Sequence, residues 1–518
     1  MSNATFNTKS KGCPLDILQN AITTELLPIE NKPNHTVLYK LPITTEVPEP
    51  HTGKVHWDRD HVKMPFSSHS LYTAMVNGIP VLKSRWTLIK ETLSKKIMSS
   101  RELEEAIITY NPKFKTEWKF IALHALFNEI LEEEESCYFF QETLPAIIAL
   151  ALELPNIVAC GLPYLRQNKN LSVSLSQYQI SSLLANAFLC TFPNRNTQIK
   201  QSGFNTFPDI NFNRLFGSGV EAHIIEKLKC ICHYFRRVCS EVPKNVITFT
   251  RQHILPEGLP NWSECREKIG DIKFHVTSEG TIEDQGINML QVDFANKFIG
   301  GGVLSWGCVQ EEIRFVISPE LIISRLFIEA LKPNEAVIIT GFERYSDYKG
   351  YSQSFLWCGD HKDKTLCDSS RRRKCAMVAI DALPFTNSKQ QFLPRLIERE
   401  LNKAFVGFRP AYGTSLYNPQ PVATGNWGCG AFGGDANLKA LLQMMAARIT
   451  RRDFVYFTFG DQKLCEDLYE IWKFFEKNQV TIGELWNQLC AFHKSNIDAK
   501  ELYTFLMQII STRKEKII

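Results

Sequence analysis

The stretch Gly300–Glu312 reads GGGVLSWGCVQEE and joins a triple glycine to two adjacent carboxylic acids. Because glycine has no Cβ, the backbone N–H groups of residues 300–302 can approach a ligand without interference from side chains. Glu311 and Glu312 can supply proton transfer. The apolar residues 289–294 predict a buried strand just before this stretch, so we expect a strand–loop–strand arrangement. Such loops commonly carry the functional sites of α/β folds.

The chain before residue 240 has a helical texture. Residues 84–240 show apolar positions at helical spacing. Ser99 with Glu102, and Ser176 with Gln179, have the spacing of capping boxes, which mark helix starts. This part of the sequence therefore predicts a largely helical region.

The texture changes after residue 245. Short runs of β-branched and aromatic residues predict strands, and helical stretches at 319–331 and 435–449 lie between them. The predicted strands are 246–249, 272–276, 336–339, 376–380 and 454–459. Alternation of strands and helices indicates a three-layer α/β sheet.

The bulk composition bounds the class of protein. A chain of 518 residues with 44% hydrophobic and 22% charged residues indicates a soluble globular protein with more than one packed unit. A net charge of +4 over this length does not by itself indicate nucleic-acid binding. The 15 cysteines lack the spacing of a disulfide module and favour a reducing compartment. Neither a secretory signal nor a membrane-spanning run is evident.

Four sequence blocks carry a specific resemblance. They are VDFANKF at 292–298 leading into the glycine–glutamate stretch, GFERYSDYKGY at 341–351, ATGNWGCGAFGGD at 423–435 and VYFTFGD at 455–461. Together they resemble the signature of the poly(ADP-ribose) glycohydrolase family, animal type. The resemblance covers roughly residues 55 to 490, because LLANAF at 183–188 and FPDINF at 207–212 resemble the family's helical accessory region.

The resemblance implies a fold. The expected architecture is a three-layer α/β macrodomain with a mixed central sheet, which binds ADP-ribose, plus an N-terminal all-helical accessory domain. We divide the chain into an extended or partly disordered segment at 1–60, the helical accessory domain at 61–243, the macrodomain catalytic core at 244–485 and a C-terminal helical extension at 486–518.

The two glutamates are expected to have different roles. On an extended segment, neighbouring side chains point to opposite faces, so Glu311 and Glu312 could not flank one anomeric carbon as a matched pair. We therefore expect one acid to transfer protons and the other to anchor a sugar hydroxyl or the loop. The resemblance assigns proton transfer to Glu312 and places Glu311 at the ribose. Asp293 is a third catalytic candidate. Without the neighbouring glycines, an exposed strand start would explain the acids equally well.

The resemblance also implies the residues that bind substrate. Those expected at the terminal ribose are Asn296, Gly300, Gly301, Gly302 and Gln310. Those expected around the adenosine are Ile282, Glu283 and Phe459, and Tyr351 matches the family tyrosine that contacts substrate. Those expected at the diphosphate are Asn426, Gly430, Ala431, Phe432 and Gly433. Ordinary structural accounts exist for several of these, since a tight turn explains a glycine triplet and aromatic packing explains Tyr345 and Tyr348.

The second glycine loop contains a misleading match. Residues 428–433 fit Gly-x-Gly-x-x-Gly, the dinucleotide fingerprint, which is weak when it occurs alone. The preceding residues 417–424 bear a proline and look irregular, and Asp453 falls before a strand instead of after one. A nicotinamide oxidoreductase is therefore disfavoured. A helix after the loop would offer its N-terminus to a phosphate.

Two smaller clusters have ordinary explanations. Cys230, Cys232 and His233, with His223 nearby, hint at a metal, but positions two apart on a helix do not share a face. Buried thiols explain them better, so we expect no metal and no cofactor. The run Arg371–Lys374 could be an import signal or a polymer-contacting patch, although a solvated loop is the simpler account.

The resemblance implies that the chain hydrolyses the ribose–ribose O-glycosidic bonds of poly(ADP-ribose) and releases ADP-ribose, and we expect one glutamate to act as acid and base through an oxocarbenium-like transition state. The alternative is a non-catalytic ADP-ribose reader, which would not need Glu312. The expected partner is poly(ADP-ribose) on modified proteins, without direct nucleic-acid or membrane binding. The expected form is a monomer in the nucleus, the cytoplasm or both.

Overall fold

The computed structural model describes residues 9–21, 26–55, 57–193, 195, 205–411, 418–495 and 497–515. Within them, one large sheet runs through the molecule and helices cover both of its faces. No helix formed by these residues combines the length and the apolar composition needed to cross a membrane.

The helices of the described chain lie mostly before residue 245 and after residue 390. Those before residue 245 are α1 (Leu15–Gln19), α2 (Arg85–Leu93), α3 (Ser100–Thr109), α4 (Ile121–Ala125), α5 (Glu133–Tyr138), α6 (Leu144–Leu152), α7 (Leu154–Ile157), α8 (Gln177–Phe188), α9 (Asn213–Phe216) and α10 (Ala222–Ser240). The later ones are α11 (Ile282–Gln285), α12 (Gln310–Ile317), α13 (Ser324–Phe327), α14 (Pro394–Phe408), α15 (Ala436–Ile449), α16 (Gln462–Asn478), α17 (Ile482–Lys494) and α18 (Leu502–Glu515).

Both predicted helix starts are confirmed. The Ser99 hydroxyl accepts the N–H of Glu102 at 3.2 Å, and α3 follows. Ser176 and Gln179 form a complete capping box at the start of α8. The predicted helix at 435–449 is confirmed as α15. The prediction for 319–331 is confirmed in part, because a 3-10 helix at Pro319–Ile323 and the single-turn α13 cover residues 319–327, while residues 328–331 are not helical.

The strands contributed by the described residues assemble mainly into a single mixed sheet. They are β1 (Ser10–Gly12), β2 (His35–Val37), β3 (Leu71–Val76), β4 (Ile79–Ser84), β5 (Leu171–Ser176), β6 (Val246–His253), β7 (Phe274–Thr277), β8 (Leu290–Ala295), β9 (Glu335–Gly341), β10 (Ser346–Lys349), β11 (Leu356–Asp360), β12 (Arg373–Asp381), β13 (Val422–Gly425) and β14 (Phe454–Phe457). Ten of them form the sheet in the order β1-β7-β14-β13-β8-β12-β9-β6-β5-β2. The pairs β3–β4 and β10–β11 are separate hairpins.

The centre of the sheet is parallel. Strands β7, β14, β13, β8 and β12 run in the same direction, and β9 pairs antiparallel to β12. The carboxyl ends of the five parallel strands therefore meet at one edge, which is where open α/β sheets bind ligands. Every strand predicted from sequence after residue 245 is present, and each observed end lies within four residues of its predicted bound.

Two hydrophobic cores lie on opposite faces of the sheet. One joins the early helices, including α8 and α10, to residues of α12 and β9. The other packs α14, α15, α16, α17 and α18 against the strands. The helix–sheet–helix layering confirms the predicted three-layer α/β architecture with an added helical region.

The first 60 residues contribute to the sheet more than their composition suggests. β1 pairs antiparallel with β7 at one edge, and β2 pairs parallel with β5 at the other. A segment predicted as extended wrapping chain thus supplies both edge strands. The proposed unit boundaries after residues 60, 243 and 485 stay predictions.

The arginine run at 371–374 is not a solvated loop. Arg372 is buried, pairs with Asp368 at 2.7 Å and donates to the Leu27 carbonyl at 2.6 Å. Arg371 donates to the carbonyls of Thr45 and Glu46 at 2.9 and 2.8 Å. These arginines hold the N-terminal segment against the sheet, so they need no role in import or polymer binding.

Candidate active site

A cavity of about 890 Å³ lies at the carboxyl ends of the parallel strands. Each of those strands ends at, or is followed by, a residue that lines the cavity. Ser278 follows β7, Phe459 follows β14 and Asn426 follows β13, while Ala295 ends β8 and Ala382 follows β12. The parallel topology thus brings together loops that are up to 180 residues apart in the chain, as between Ser278 and Phe459.

Many of the predicted binding residues line this cavity. They are Ile282, Glu283, Gln310, Tyr351, Asn426, Gly430, Ala431, Phe432 and Phe459. The cavity lining does not include the predicted residues Asn296, Gly300, Gly301, Gly302 and Gly433, or the three acids Asp293, Glu311 and Glu312. Val309, Gln310 and Ile313, which flank the two glutamates in sequence, do line the cavity. The acids therefore stand directly behind one wall.

The two glutamates lie on a helix, so the prediction of an extended segment is wrong. Glu311 and Glu312 occupy the first turn of α12, where the Glu312 side chain reaches back to the Val309 N–H at 2.9 Å and completes the helix start. A capping role of this kind favours an acid at the third helical position. Successive helical residues are about 100° apart, so both carboxyls can face the same glycine loop.

Each carboxyl accepts two backbone hydrogen bonds from the acid loop, which we define as residues 296–309. Glu311 accepts the N–H groups of Asn296 at 2.8 Å and Gly300 at 2.6 Å. Glu312 accepts those of Gly302 at 2.8 Å and Val309 at 2.9 Å.

The use of the glycine N–H groups differs from the expectation. Gly301 donates to the Phe298 carbonyl at 3.1 Å, so all three amides of the triple glycine bond within the protein. The prediction that they grip a ligand directly is therefore wrong for this structure.

The glycines are needed for a different reason. A Cβ at Gly301, whose φ is +45°, would overlap the carboxyl of Glu312 and lie 2.7 Å from Glu311 Oε2. A Cβ at Gly307 would lie 2.6 Å from Glu312 Oε1. Real side chains do not tolerate such contacts. The glycines thus let the acid loop close around the two carboxyls.

Two buried cations hold the acid loop from outside. Lys227 of α10 donates from Nζ to the carbonyls of Ser305 at 2.7 Å, Gly307 at 2.5 Å and Gly302 at 3.3 Å. Arg325 of α13 donates to the carbonyls of Ile299 and Gly301, both at 3.0 Å. Burial lowers the pKa of Lys227 to about 8. The helical region therefore takes part in shaping the loop that carries the acids.

Asp293, Glu311 and Glu312 form a buried cluster of acids. Burial raises the pKa of Asp293 well above its ordinary value, and the charge of Glu312 adds to this effect. Burial, then the charges of Asp293 and Glu312, raise the pKa of Glu311 in the same way. Neither oxygen of Asp293 has a hydrogen-bond partner among the described residues. A carboxyl in that position is expected to be neutral at pH 7.

The open loop, residues 426–434, forms the opposite wall. The N–H groups of Gly430, Ala431 and Phe432 find no acceptor within the described part of the chain, and these residues line the cavity. Adjacent free N–H groups suit an anion such as a diphosphate. Beneath the loop, buried Lys439 lies 4.1 Å from the centre of the Trp427 ring and pairs with Glu400.

Two expectations about the open loop are wrong. A strand, β13, does precede it, although residues 412–417 lie outside the described residues. The helix that follows, α15, is capped by Asp435, whose Oδ1 accepts the Leu438 N–H at 2.9 Å. The helix N-terminus is thus already occupied by a carboxylate, which leaves the N–H groups of residues 430–432 as loop donors without described acceptors. Asp453 lies before β14, as predicted.

Glu283 and Phe459 mark one end of the cavity. The Glu283 carboxylate accepts a hydrogen bond from the Tyr348 hydroxyl, and Tyr348 also lines the cavity. The predicted packing of Tyr348 is confirmed as well, since its ring lies 5.7 Å from that of Phe355. Phe459 is 42% exposed and has a φ of +52°, a strained value for a residue other than glycine. Its ring lies 6.4 Å from that of Phe294 in an edge-on arrangement. Tyr345, by contrast, is buried and donates to Glu320, which confirms its packing role.

Comparison with known proteins places this geometry in a family. Residues 131–251 match the model described as poly(ADP-ribose) glycohydrolase, helical domain, and residues 259–466 match the model described as poly(ADP-ribose) glycohydrolase, macro domain fold. The chain belongs to the poly(ADP-ribose) glycohydrolase family.

Curated relatives agree with this assignment. The chain is 36% identical over 449 residues to poly(ADP-ribose) glycohydrolase 1 of Arabidopsis thaliana, covering 71% of this chain and 80% of the relative. It is 34% identical over 451 residues to probable poly(ADP-ribose) glycohydrolase 2 of the same plant, covering 74% and 85%. Poly(ADP-ribose) glycohydrolase 1 of Caenorhabditis elegans is 30% identical over 356 residues, covering 66% and 42%.

The residues of the cysteine–histidine cluster lie on one helix. Cys230, Cys232 and His233 all lie on α10, where Cys230 is buried and His233 Nε2 contacts the Tyr345 carbonyl at 3.1 Å. Among the described residues, no three His, Cys, Asp or Glu side chains are arranged to hold a metal ion.

Sequence reasoning missed the residues that support this family's two glycine loops. Lys227, Arg325 and Lys439 are buried cations that touch one loop or the other. One signal was available for Lys227, because it falls on the apolar stripe of α10 between Ile224 and Ile231. A charged residue on a buried stripe needs partners, and the sequence does not say which carbonyls supply them.

Proposed function

We propose that the protein hydrolyses the ribose–ribose bonds of poly(ADP-ribose) through Glu312, acting first as acid and then as base. The reaction class follows from membership of the family, which makes the protein a glycosidase that acts on poly(ADP-ribose). The proposal concerns which residues perform it. The observation that carries it is the position of Glu312, which is only 6% exposed and shares a buried cluster with two other acids behind the cavity wall.

The reaction needs a proton for the leaving oxygen. In the first step Glu312 donates this proton as the bond from the anomeric carbon breaks and positive charge develops on the ribose. The resulting carboxylate then takes a proton from the attacking water. Each Glu312 oxygen already accepts one N–H group and keeps a second lone pair for this exchange.

The neighbouring acids support this role in different ways. The Asp293 carboxyl, held neutral by burial, adds no second negative charge beside Glu312. Glu311 fixes the acid loop through Asn296 and Gly300. We infer that Glu311 is a positioning residue and that one carboxyl, instead of a pair, performs the chemistry.

Access to Glu312 runs past Tyr351. Desolvation raises the pKa of the Tyr351 phenol, and the nearby charge of Glu312 contributes in the same direction. Tyr351 lines the cavity, so a sugar that contacts its hydroxyl would come close to Glu312. A small movement of the wall residues Val309 and Gln310 would complete the contact.

The cavity walls suggest the orientation of the substrate. We propose that the diphosphate binds the free N–H groups of Gly430, Ala431 and Phe432, which leaves the adenosine toward Glu283 and Phe459. The terminal ribose then lies between Asn426 and Gln310, near Asn296 and the acid loop. A ring such as Phe459 would add about 1–3 kcal/mol if it stacks on the base.

Several finer points belong to the same proposal. All 15 cysteines are free thiols, which supports an intracellular location in the nucleus or the cytoplasm. We propose that the chain acts as a monomer on polymer attached to proteins and needs no direct contact with nucleic acid.

Replacement of Glu312 by Gln tests the assignment. The variant keeps the size of the side chain but cannot donate a carboxyl proton. Release of ADP-ribose from purified polymer should fall by about 10²–10⁴-fold, while calorimetric affinity for ADP-ribose should stay within a few-fold of the wild type. Glu264→Gln, an exposed site, serves as the control. Turnover by Glu312→Gln at the wild-type rate would exclude Glu312 as the acid.

A further inference from the structure

We propose that Trp306 forms a stacking site for the adenine of the leaving unit, outside the cavity that holds the terminal ADP-ribose. The proposal rests on the assignment of Glu312 as the proton donor. Trp306 is part of the acid loop and is 55% exposed, whereas its neighbours Leu304 and Cys308 are buried. A large aromatic side chain on the surface of a catalytic loop needs an explanation.

The backbone around Trp306 is held firmly. The carbonyls on either side of it, those of Ser305 and Gly307, both accept hydrogen bonds from the buried ammonium of Lys227, at 2.7 and 2.5 Å. The Gly307 N–H also donates to the Gly302 carbonyl at 3.1 Å. The ring is therefore presented to solvent from a fixed backbone, which lowers the entropic cost of binding a partner.

The backbone that follows Trp306 lies against the proposed proton donor. Gly307, the following residue, is so close to Glu312 that a Cβ there would lie 2.6 Å from Oε1. On its other side, Trp306 reaches the helical region, where its Cη2 atom would lie 3.2 Å from a Cβ at Gly219. Trp306 does not line the 890 Å³ cavity. The geometry thus places an exposed aromatic surface beyond Glu312, on the outside of the ligand cavity.

The chemistry of the polymer supplies a matching group. Hydrolysis breaks the bond from the anomeric carbon of the terminal ribose to a hydroxyl oxygen of the next unit. That oxygen takes the proton of Glu312 and leaves as an alcohol, while water supplies the new oxygen on the anomeric carbon. The ribose that leaves carries an adenine. When the terminal unit fills the cavity, this adenine must lie outside it, near Glu312, where an aromatic face is available.

Stacking on the leaving unit would affect polymer differently from free ADP-ribose. Every base offers a π-face, and aromatic side chains bind bases largely through stacking. The interaction exists only while the leaving unit is attached or has just been cleaved. It should therefore change kcat/KM for polymer and leave the affinity for free ADP-ribose unchanged.

The test compares two substrates. One is a two-unit polymer, and the other is the same molecule without the adenine on its leaving unit. Trp306→Ala should lower kcat/KM for the first by about tenfold, as expected for the loss of one base–aromatic stack, and should leave the second unchanged. Trp306→Phe should retain most of the activity. Tyr138→Ala, which removes another exposed aromatic ring, is the matched control.

Two results would overturn the proposal. One is an equal loss on both substrates, which would mean that Trp306 only supports the loop. The other is no loss on either, which would make Trp306 an ordinary exposed residue or part of a protein-binding face. Binding of the two-unit polymer to Glu312→Gln, with and without Trp306→Ala, separates this question from catalysis. A tenfold loss of affinity there would support the stack even if Glu312→Gln were to remain active.

Discussion

The two glycine-rich loops have similar compositions and opposite uses. In the acid loop, all three N–H groups of Gly300–Gly302 are consumed inside the protein, two of them by Glu311 and Glu312. In the open loop, three consecutive N–H groups at residues 430–432 are free of described partners and line the cavity. One loop therefore arranges the acids, and the other is available to the ligand. Glycine content alone does not distinguish a loop that binds from a loop that positions.

The largest effect in this comparison is expected for Glu311, which accepts two N–H groups of the acid loop. Glu311→Gln replaces one acceptor oxygen by an amide that cannot accept the N–H of Asn296 or Gly300. The loop should shift, and kcat on polymer should fall by about a hundredfold or more. Titration with ADP-ribose should show a smaller change in affinity. If affinity were lost and kcat kept, the acid loop would be a binding loop and the contrast would fail.

The next prediction compares one glycine from each loop. Gly301→Ala forces a side chain into the left-handed region, which costs about 1–2 kcal/mol, and drives its Cβ against Glu312. We expect kcat to fall by about tenfold to a hundredfold and the melting temperature to drop. Gly430→Ala meets no atom within 4 Å and has no positive φ, so it should fold normally. Its effect should be limited to ADP-ribose affinity, measured by calorimetry.

A smaller effect is expected from the cation behind the acid loop. Lys227→Met removes the donor to three carbonyls and should lower kcat by about tenfold without changing ADP-ribose affinity. Lys229→Met, two positions along α10 and paired with Glu226 near the surface, is the matched control. Normal kcat in Lys227→Met would show that Arg325 suffices to hold the loop.

Because the pKa of Lys227 is lowered, the difference in kcat between the wild type and Lys227→Met should depend on pH. Below about pH 8 the ammonium is charged and can serve all three carbonyls, and above it one donor is lost. We expect kcat to decline above pH 8 in the wild type, and we expect no such decline in Lys227→Met.

The free energy of unfolding should depend on pH in the opposite direction. Between pH 8 and the ordinary lysine pKa, the unfolded chain binds a proton that the folded chain lacks, so this lysine's contribution to the free energy of unfolding rises with pH.

The smallest effect concerns the adenosine end of the cavity. Phe459→Leu keeps an apolar side chain but removes the ring, and should weaken ADP-ribose binding by a few-fold to tenfold. Because the open loop and not the acid loop faces this end, kcat at saturating polymer should be nearly unchanged. An equal fall in kcat would indicate that Phe459 also orders the acid loop.

The sequence was informative where a local pattern determines the outcome. The strands after residue 245 and the capping boxes at Ser99 and Ser176 depend on neighbouring residues, and they were predicted correctly. The helix that begins at Gln310 was not predicted. Its start is stabilised by the Glu312 carboxyl, which accepts the Val309 N–H, and in the sequence alone Glu312 could equally be an exposed acid at the start of a strand. The resemblance identified nine residues that line the cavity. Its other predicted site residues are not part of the lining.

Long-range partners could not be read from the chain. Lys227 lies about 75–80 residues from the carbonyls that it serves, and Lys439 lies 39 residues from Glu400. Nothing local to either lysine specifies these contacts. The same holds for the bonds that Arg371 and Arg372 make to the N-terminal segment, whose carbonyl acceptors lie more than 300 residues away.

The antiparallel ladder between β5 and β6 has a consequence for how this protein can be divided. Six residue pairs join β5, which falls within the helical match, to β6, and β6 in turn pairs with β9. A fragment starting at residue 259, where the macro match begins, would leave β9 with one unpaired edge, although every residue of β9 is normally buried. An unpaired apolar edge strand can pair with the same edge of another molecule and so promote aggregation. Recombinant fragments should therefore begin before β5, so that the sheet keeps its natural border.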